Sequence, residues 1–210
     1  MKSVEFASLL CSRLCHDLLS PVGALNNGIE LLADEQDPEM RARCLALLSE
    51  SARASANKLK FFRLAFGAAG GFGEDVDTRE ARAAIEGLFN HDGRIELGWM
   101  VDDGSLNKTA IKVLLNLSLI AGDALVRGGR LDVGAERGSG VVEVVVRAEG
   151  PRIVLDAELK RALAGELGDE AVAPRAAAAW LVHSLVTETG GDVQVAEDAG
   201  VLLFGATIRG

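Results

Sequence analysis

Apolar residues recur at three- and four-residue steps through the first third of the chain. Leu10, Leu14, Leu18, Leu25, Ile29 and Leu32 make one stripe, and Leu45, Leu48, Leu59, Phe62 and Phe66 make a second. That period belongs to amphipathic α-helices, so two long helices are predicted, with Ala52 and Ser55 as small positions in the second stripe. Residues 34–38 form a tight connection in which Asp37 is the N-cap and Pro38 the first helical residue. The two helices then make an antiparallel hairpin. A lone hairpin cannot cover both stripes. Pairing with a second copy into a four-helix bundle is the simple remedy and predicts a homodimer; packing of the hairpin on the rest of its own chain is the alternative.

Beyond Asp77 helical and alternating segments are mixed. Residues 78–90 are predicted helical, RIELGWMV at 94–101 is a strand, and 106–125 is a long, strongly apolar helix. Strands follow at 129–136 and 141–148 with a turn at 137–140, then a short helix near 156–165. A longer helix over 174–189 starts at Pro174, and strands at 192–197 and 201–208 flank a turn at 198–200. The fold class is α+β, with an N-terminal helical hairpin, expected as a dimeric four-helix bundle, and a C-terminal α/β sandwich whose sheet is covered on one face by helices. The predicted boundaries are 1–67 for the hairpin, 68–76 for a linker and 77–210 for the sandwich. GAAGGFGED at 67–75 has the composition of a flexible joint.

Composition narrows the function. Residues 1–67 carry eight Lys/Arg and eight Asp/Glu, so the net charge of −9 in this 210-residue chain lies beyond them. That charge, together with 4% aromatics and no Tyr, argues against nucleic acid and anionic membrane as partners. No apolar run approaches the roughly 20 residues of a membrane span. The N-terminus has little of a secretion signal, and the expected location is cytoplasmic. Cys11, Cys15 and Cys44 form no CxxC pair and are expected to be small buried hydrophobes in a reducing compartment.

Of three histidines, His16 falls opposite the first apolar stripe at about 100° per residue, on a face shared with Ser12, Ser20, Gly23 and Asn27. A solvated surface histidine is one reading. The other comes from its neighbours. Cys15-His16-Asp17-Leu18-Leu19-Ser20-Pro21 resembles the H-box of two-component histidine kinases: a His, an acid, apolar residues, a small hydroxyl residue and Pro. A neutral imidazole is a nucleophile near pH 7. Asp17 is suited to accept a hydrogen bond from one ring nitrogen and turn the other lone pair outward. Pro21 removes a backbone N–H and is expected to bend the helix, exposing a carbonyl where a partner could approach.

By the same resemblance the second domain should follow the ATP-binding domain of those kinases, and its boxes can be located. LLNLSLIA at 114–121 resembles the N-box; Asn116 matches its first Asn, but the second position is Ile120, which offers no oxygen to a hard cation. Glu149-Gly150-Pro151 resembles the adenine-reading box with Ala148 in place of its Asp and Arg152 in place of its last Gly. RAAAAWLV at 175–182 stands where a glycine-rich helix start would cradle phosphates, with Ala176 and Ala178 in the glycine positions. Residues 185–195 still follow the kinase pattern. An H-box hairpin joined to a kinase-like domain without nucleotide contacts resembles the ChpT-type histidine phosphotransferases of alphaproteobacterial phosphorelays.

The resemblance implies an ATP-independent phosphotransferase that relays a phosphoryl group between response-regulator receiver domains, including that of a hybrid histidine kinase, through His16. Asp17 would assist, with Ser20 and Pro21 completing the H-box. Ser12, Leu19, Gly23 and Asn27 would form the docking surface. No cofactor is expected on this chain, and magnesium would sit on the receiver. Arg41, Arg43, Arg53, Lys58, Lys60 and Arg63 could steer an acidic receiver or simply form a solvated face. A kinase core with divergent boxes and a non-catalytic docking scaffold are the alternatives. His91-Asp92 repeats the His-Asp pair but lacks converging metal ligands; it is read as a helix C-terminal cap, and His183 as a polar-face residue.

Overall fold

A computed structural model describes residues 3–67, 75–89, 93–167 and 173–209. Helices α1 (Ser3–Asp34) and α2 (Pro38–Phe66) form the hairpin. The Asp37 carboxylate accepts a hydrogen bond from the Met40 N–H at 3.0 Å, and Pro38 lies in the first turn, where no N–H is needed. Arg41 donates to the carbonyls of Leu32 and Glu35 at 3.1 and 2.7 Å, satisfying the free end of α1. At the contact between the helices Gly28 is so close to Leu48 that a Cβ would come within 2.8 Å of it.

The α/β part begins with β1 (Asp75–Asp77) and α3 (Thr78–Phe89), followed by β2 (Ile95–Val101), β3 (Ser105–Asn107) and α4 (Lys108–Ala124). It continues through β4 (Gly129–Arg137), β5 (Val141–Glu149), α5 (Ala157–Leu163), a 3₁₀ turn at Pro174–Ala176, α6 (Ala177–Glu188), β6 (Asp192–Asp198) and β7 (Val201–Arg209). The main sheet has the order β2-β4-β5-β7-β6, antiparallel except for β2 beside β4. Alternation sets its inner face. Val142, Val144, Val146 and Ala148 of β5 and Leu202, Phe204, Ala206 and Ile208 of β7 are buried under α4 and α6, while Glu143, Arg147 and Glu149 turn to the open face. Among the described residues no helix is long and apolar enough to cross a membrane.

Several features differ from expectation. Asp75 and Val76, assigned to the joint by composition, pair with Asn107 and Leu106 in a two-stranded ribbon, β1 with β3; residues 68–74 lie outside the described residues. The apolar helix expected from 106 starts at Lys108 because the Asn107 side chain accepts the Ala110 N–H at 2.8 Å, an N-cap that ends the strand. Cys44 is buried, but Cys11 and Cys15 are exposed on α1.

The hairpin and the α/β part share one core. Phe61, Phe62 and Ala65 of α2 are buried in the same apolar cluster as α4 and the inner sheet face. Asn57 donates to the Gly87 carbonyl of α3 at 2.9 Å, and Asn116 of α4 donates to the Ala65 carbonyl at 3.1 Å. The Phe6 ring of α1 lies 4.5 Å from that of Trp180 on α6. Phe61 has no solvent-exposed surface. Truncating Phe61→Ala is expected to destabilise the protein by about 3–5 kcal/mol in urea unfolding, with α2 amide protons losing exchange protection before those of β5 and β7.

Candidate functional site

His16 is placed in the middle of α1 with 85% of its side chain exposed. Its Nδ1 lies 3.1 Å from Oδ1 of Asp17. A carboxylate can only accept, so in this contact Nδ1 is the donor, and a neutral ring then keeps its lone pair on Nε2. The other Asp17 oxygen, Oδ2, accepts from Nε of Arg13 at 2.6 Å, one helical turn earlier. Arg13 in turn donates from its terminal nitrogen to Oδ2 of Asp123 at 2.8 Å, at the C-terminal end of α4. Burial works against the Arg13 charge, but Asp123 and Asp17 outweigh it and raise its pKa above the usual arginine value. Half of the Asp123 side chain is solvent-accessible. The surrounding cavity walls nevertheless raise its pKa above the ordinary carboxylate value, with Arg13 opposing.

Pro21 has a different consequence from the one expected. α1 runs unbroken through it. Its missing N–H would have bonded the carbonyl four residues back, which is that of Asp17. That carbonyl is not left open for a partner: Lys58 Nζ of α2 donates to it at 2.8 Å. The H-box proline thus creates an acceptor beside the histidine, and the second helix fills it.

Ser12, Ser20 and Asn27 are exposed around His16, Gly23 is half-buried, and Leu19 is 74% exposed beside them. The basic residues of α2 are partly committed elsewhere. Arg41 closes the hairpin loop, Arg43 pairs with Glu39 at 2.6 Å, and Lys58 holds the Asp17 carbonyl. His183 is half-buried rather than on a polar face: its Nδ1 lies 3.1 Å from the Leu163 carbonyl, and its ring packs where Gly165 has no Cβ. His91 and Asp92 lie outside the described residues.

Among residues that sequence reasoning missed, Arg13 could have been found from its i, i+4 spacing to Asp17. Lys58 follows from counting the donor that Pro21 lacks. Asp123, 110 positions from Arg13, leaves no local signal.

Residues 78–200 match the family described as "Histidine phosphotransferase C-terminal domain". The protein phosphotransferase ChpT of Brucella abortus (strain 2308) is 32% identical over 206 residues, covering 98% of this chain and 97% of that protein. A solved bacterial phosphotransferase superposes with a TM-score of 0.86 at 31% identity, over 98% of this chain and 97% of the other. The chain belongs to the ChpT-type histidine phosphotransferases. It is therefore a phosphotransferase of a phosphorelay. The family match lies within the α/β part, while the full-length similarity also spans α1 and the His16 site.

In this histidine phosphotransferase the positions that resemble nucleotide boxes have been turned to packing. Asn116 is fully buried, its amide nitrogen donating to the Ala65 and Lys112 carbonyls at 3.1 and 2.8 Å. Ile120, Ala148, Ala176 and Ala178 are all buried in the core. The Lys58 contact yields a test by double-mutant cycle. Lys58→Met is expected to cost about 1.5–3 kcal/mol, as for a hydrogen bond from a charged donor. Most of that cost is expected to disappear in a Pro21→Ala background, where the helix supplies its own N–H; equal costs in both would contradict the assignment.

Proposed function

We propose that this phosphotransferase carries the phosphoryl group on Nε2 of His16, exchanges it with receiver-domain aspartates without nucleotide, and acts as a homodimer. The observation that carries this reading is the exposed His16 ring with Nδ1 held by Asp17. The Nε2 lone pair attacks the phosphorus of an aspartyl phosphate, and the phosphorus–oxygen bond breaks with its electron pair returning to the donor carboxylate. The Nδ1 proton stays on the ring, and the Asp17 carboxylate stabilises the positive charge that develops there. The reverse attack by another receiver's aspartate restores the neutral ring. A loose transition state asks chiefly for in-line placement and charge neutralisation, and the receiver would bring its magnesium and acidic pocket. The small-residue strip of Ser12, Ser20, Gly23 and Asn27 with Leu19 offers it a low approach. Burial of Asn116, Ala148, Ala176 and Ala178 favours independence from ATP.

Homodimerisation is favoured by the apolar surface that the fold leaves uncovered. Val4, Cys11, Val22 and Ile29 of α1 are exposed at seven- and eleven-residue steps, and so are Leu45, Ala52 and Leu59 of α2. Each stripe is displaced by roughly 80° from the face its helix turns to the other, at about 100° per residue. In antiparallel helices these displacements fall on the same side of the hairpin, away from Phe61, Ala65 and the α/β part. A second copy supplies a matching face.

Two measurements test the proposal. Mixed with a phosphorylated receiver domain, the wild-type protein is expected to acquire acid-labile label, and His16→Ala to acquire none while melting at the same temperature. Labelling of the variant, or of the wild type by ATP alone, would overturn the reading. Sedimentation is expected to give a dimer for the wild type and a monomer for the Ile29→Glu/Leu59→Glu double variant; a wild-type monomer would remove the bundle.

A further inference from the structure

Resting on the phosphoacceptor role of His16, we propose that Asp123 and Arg13 are positioning residues for phosphotransfer, through which the α/β part controls the tautomer of the reacting imidazole. Four side chains stand in series across the junction: His16 Nδ1 to Asp17 Oδ1 at 3.1 Å, Asp17 Oδ2 to Arg13 Nε at 2.6 Å, and Arg13 to Asp123 Oδ2 at 2.8 Å. The first three belong to α1 and the last to α4.

Guanidinium and carboxylate groups prefer to meet through two parallel hydrogen bonds. Left alone with Asp17, Arg13 would bridge both of its oxygens, and the one facing the imidazole would be shared with the guanidinium. Asp123 prevents this by holding the far end of the fork, so Arg13 gives Asp17 a single bond through Nε. One oxygen is anchored and the other is turned to Nδ1. Arg13 and Asp17 keep only 14% and 16% of their side-chain surface exposed, so water is a poor substitute for either partner. An imidazole free in water favours the tautomer with its proton on Nε2, the wrong atom for attack. The relay is needed to hold the proton on Nδ1.

Behind the relay, Arg13, Asp17, Lys58 and Asp123 border an open cavity of about 330 Å³ between the hairpin and the α/β part. Substitution of Asp123 therefore meets free space rather than packed atoms, and a variant is expected to change the electrostatics without disturbing the fold.

The test uses full-length protein, a phosphorylated receiver domain as donor, and ¹⁵N-labelled histidine to read the tautomer of His16 by NMR. Asp123→Asn is expected to slow transfer about tenfold, the low end of the cost of removing the outer partner of a metal-ligating His. It should leave the apparent KM for the receiver unchanged and shift the His16 signals toward the Nε2–H form. Asp123→Glu should recover most of the rate. Arg13→Gln should shift the tautomer alike, which keeps the test available if Asp123→Asn folds poorly. In the Arg13→Gln background Asp123→Asn should cause no further slowing, because both act through one guanidinium. Unchanged tautomer and rate in Asp123→Asn, or additive slowing in the double variant, would overturn the relay while His16→Ala remained inactive. Transfer persisting in His16→Ala would instead remove the phosphoacceptor reading itself.

Discussion

Burial of one flank of α2 under α4 is the contact from which the rest of the site follows. Phe61, Phe62 and Ala65 enter the core of the α/β part, and Asn57 and Asn116 tie the same stretch by hydrogen bonds to carbonyl groups across the contact. With α2 fixed in this way, Lys58 is carried to the Asp17 carbonyl and Gly28 meets Leu48, so α1 has little freedom to rotate about its axis. Arg13 then faces Asp123, and His16, one face further round, faces water. A rotation of α1 by a single residue step, about 100°, would break these contacts together.

Rigidity of this kind suits a group that transfers phosphate. In the phosphoacceptor role proposed for His16 the histidine would contribute one nucleophilic nitrogen and the receiver most of the charge, so the helix would have to present that nitrogen in one tautomer and one direction. Pro21 by itself weakens such a helix. Here it opens a backbone acceptor that Lys58 occupies, and the loss of one intrahelical bond becomes a cross-link between the two helices. Stability and exposure of the His16 ring are thereby separated: the ring is 85% exposed, and its support lies one residue away.

In the α/β part the positions that resemble nucleotide boxes in sequence are occupied by packing residues. An Asn in the N-box place has become a buried tie between α4 and α2, and alanines in the place of glycines pack the start of α6 against the core. A buried polar group that bonds to backbone carbonyls fixes geometry more than it adds energy. Keeping Asn116 in that role holds the hairpin in register with Asp123, about two turns further along the same helix.

The order of the elements outside the β1–β3 ribbon, the hairpin turn with its Asp37 cap, the alternation of β5 and β7 and the outward face carrying His16 were all determined by the sequence itself, because each depends on residues a few positions apart. The H-box likeness is local in the same sense. Strand β3 and the late start of α4 escaped because a three-residue ribbon carries too few positions to show a period. The split of the hairpin's apolar stripes, one flank to the α/β core and one to the outside, was decided only in three dimensions, since periodicity marks a face as apolar without saying what will cover it. The Arg13–Asp17 pair has a local i, i+4 signal, but the partners chosen by Lys58 and Asp123 were likewise decided only in three dimensions. Their roles depend on the closing of contacts over 41 and 110 residues, and no local pattern encodes which carboxylate a guanidinium will meet when two domains pack.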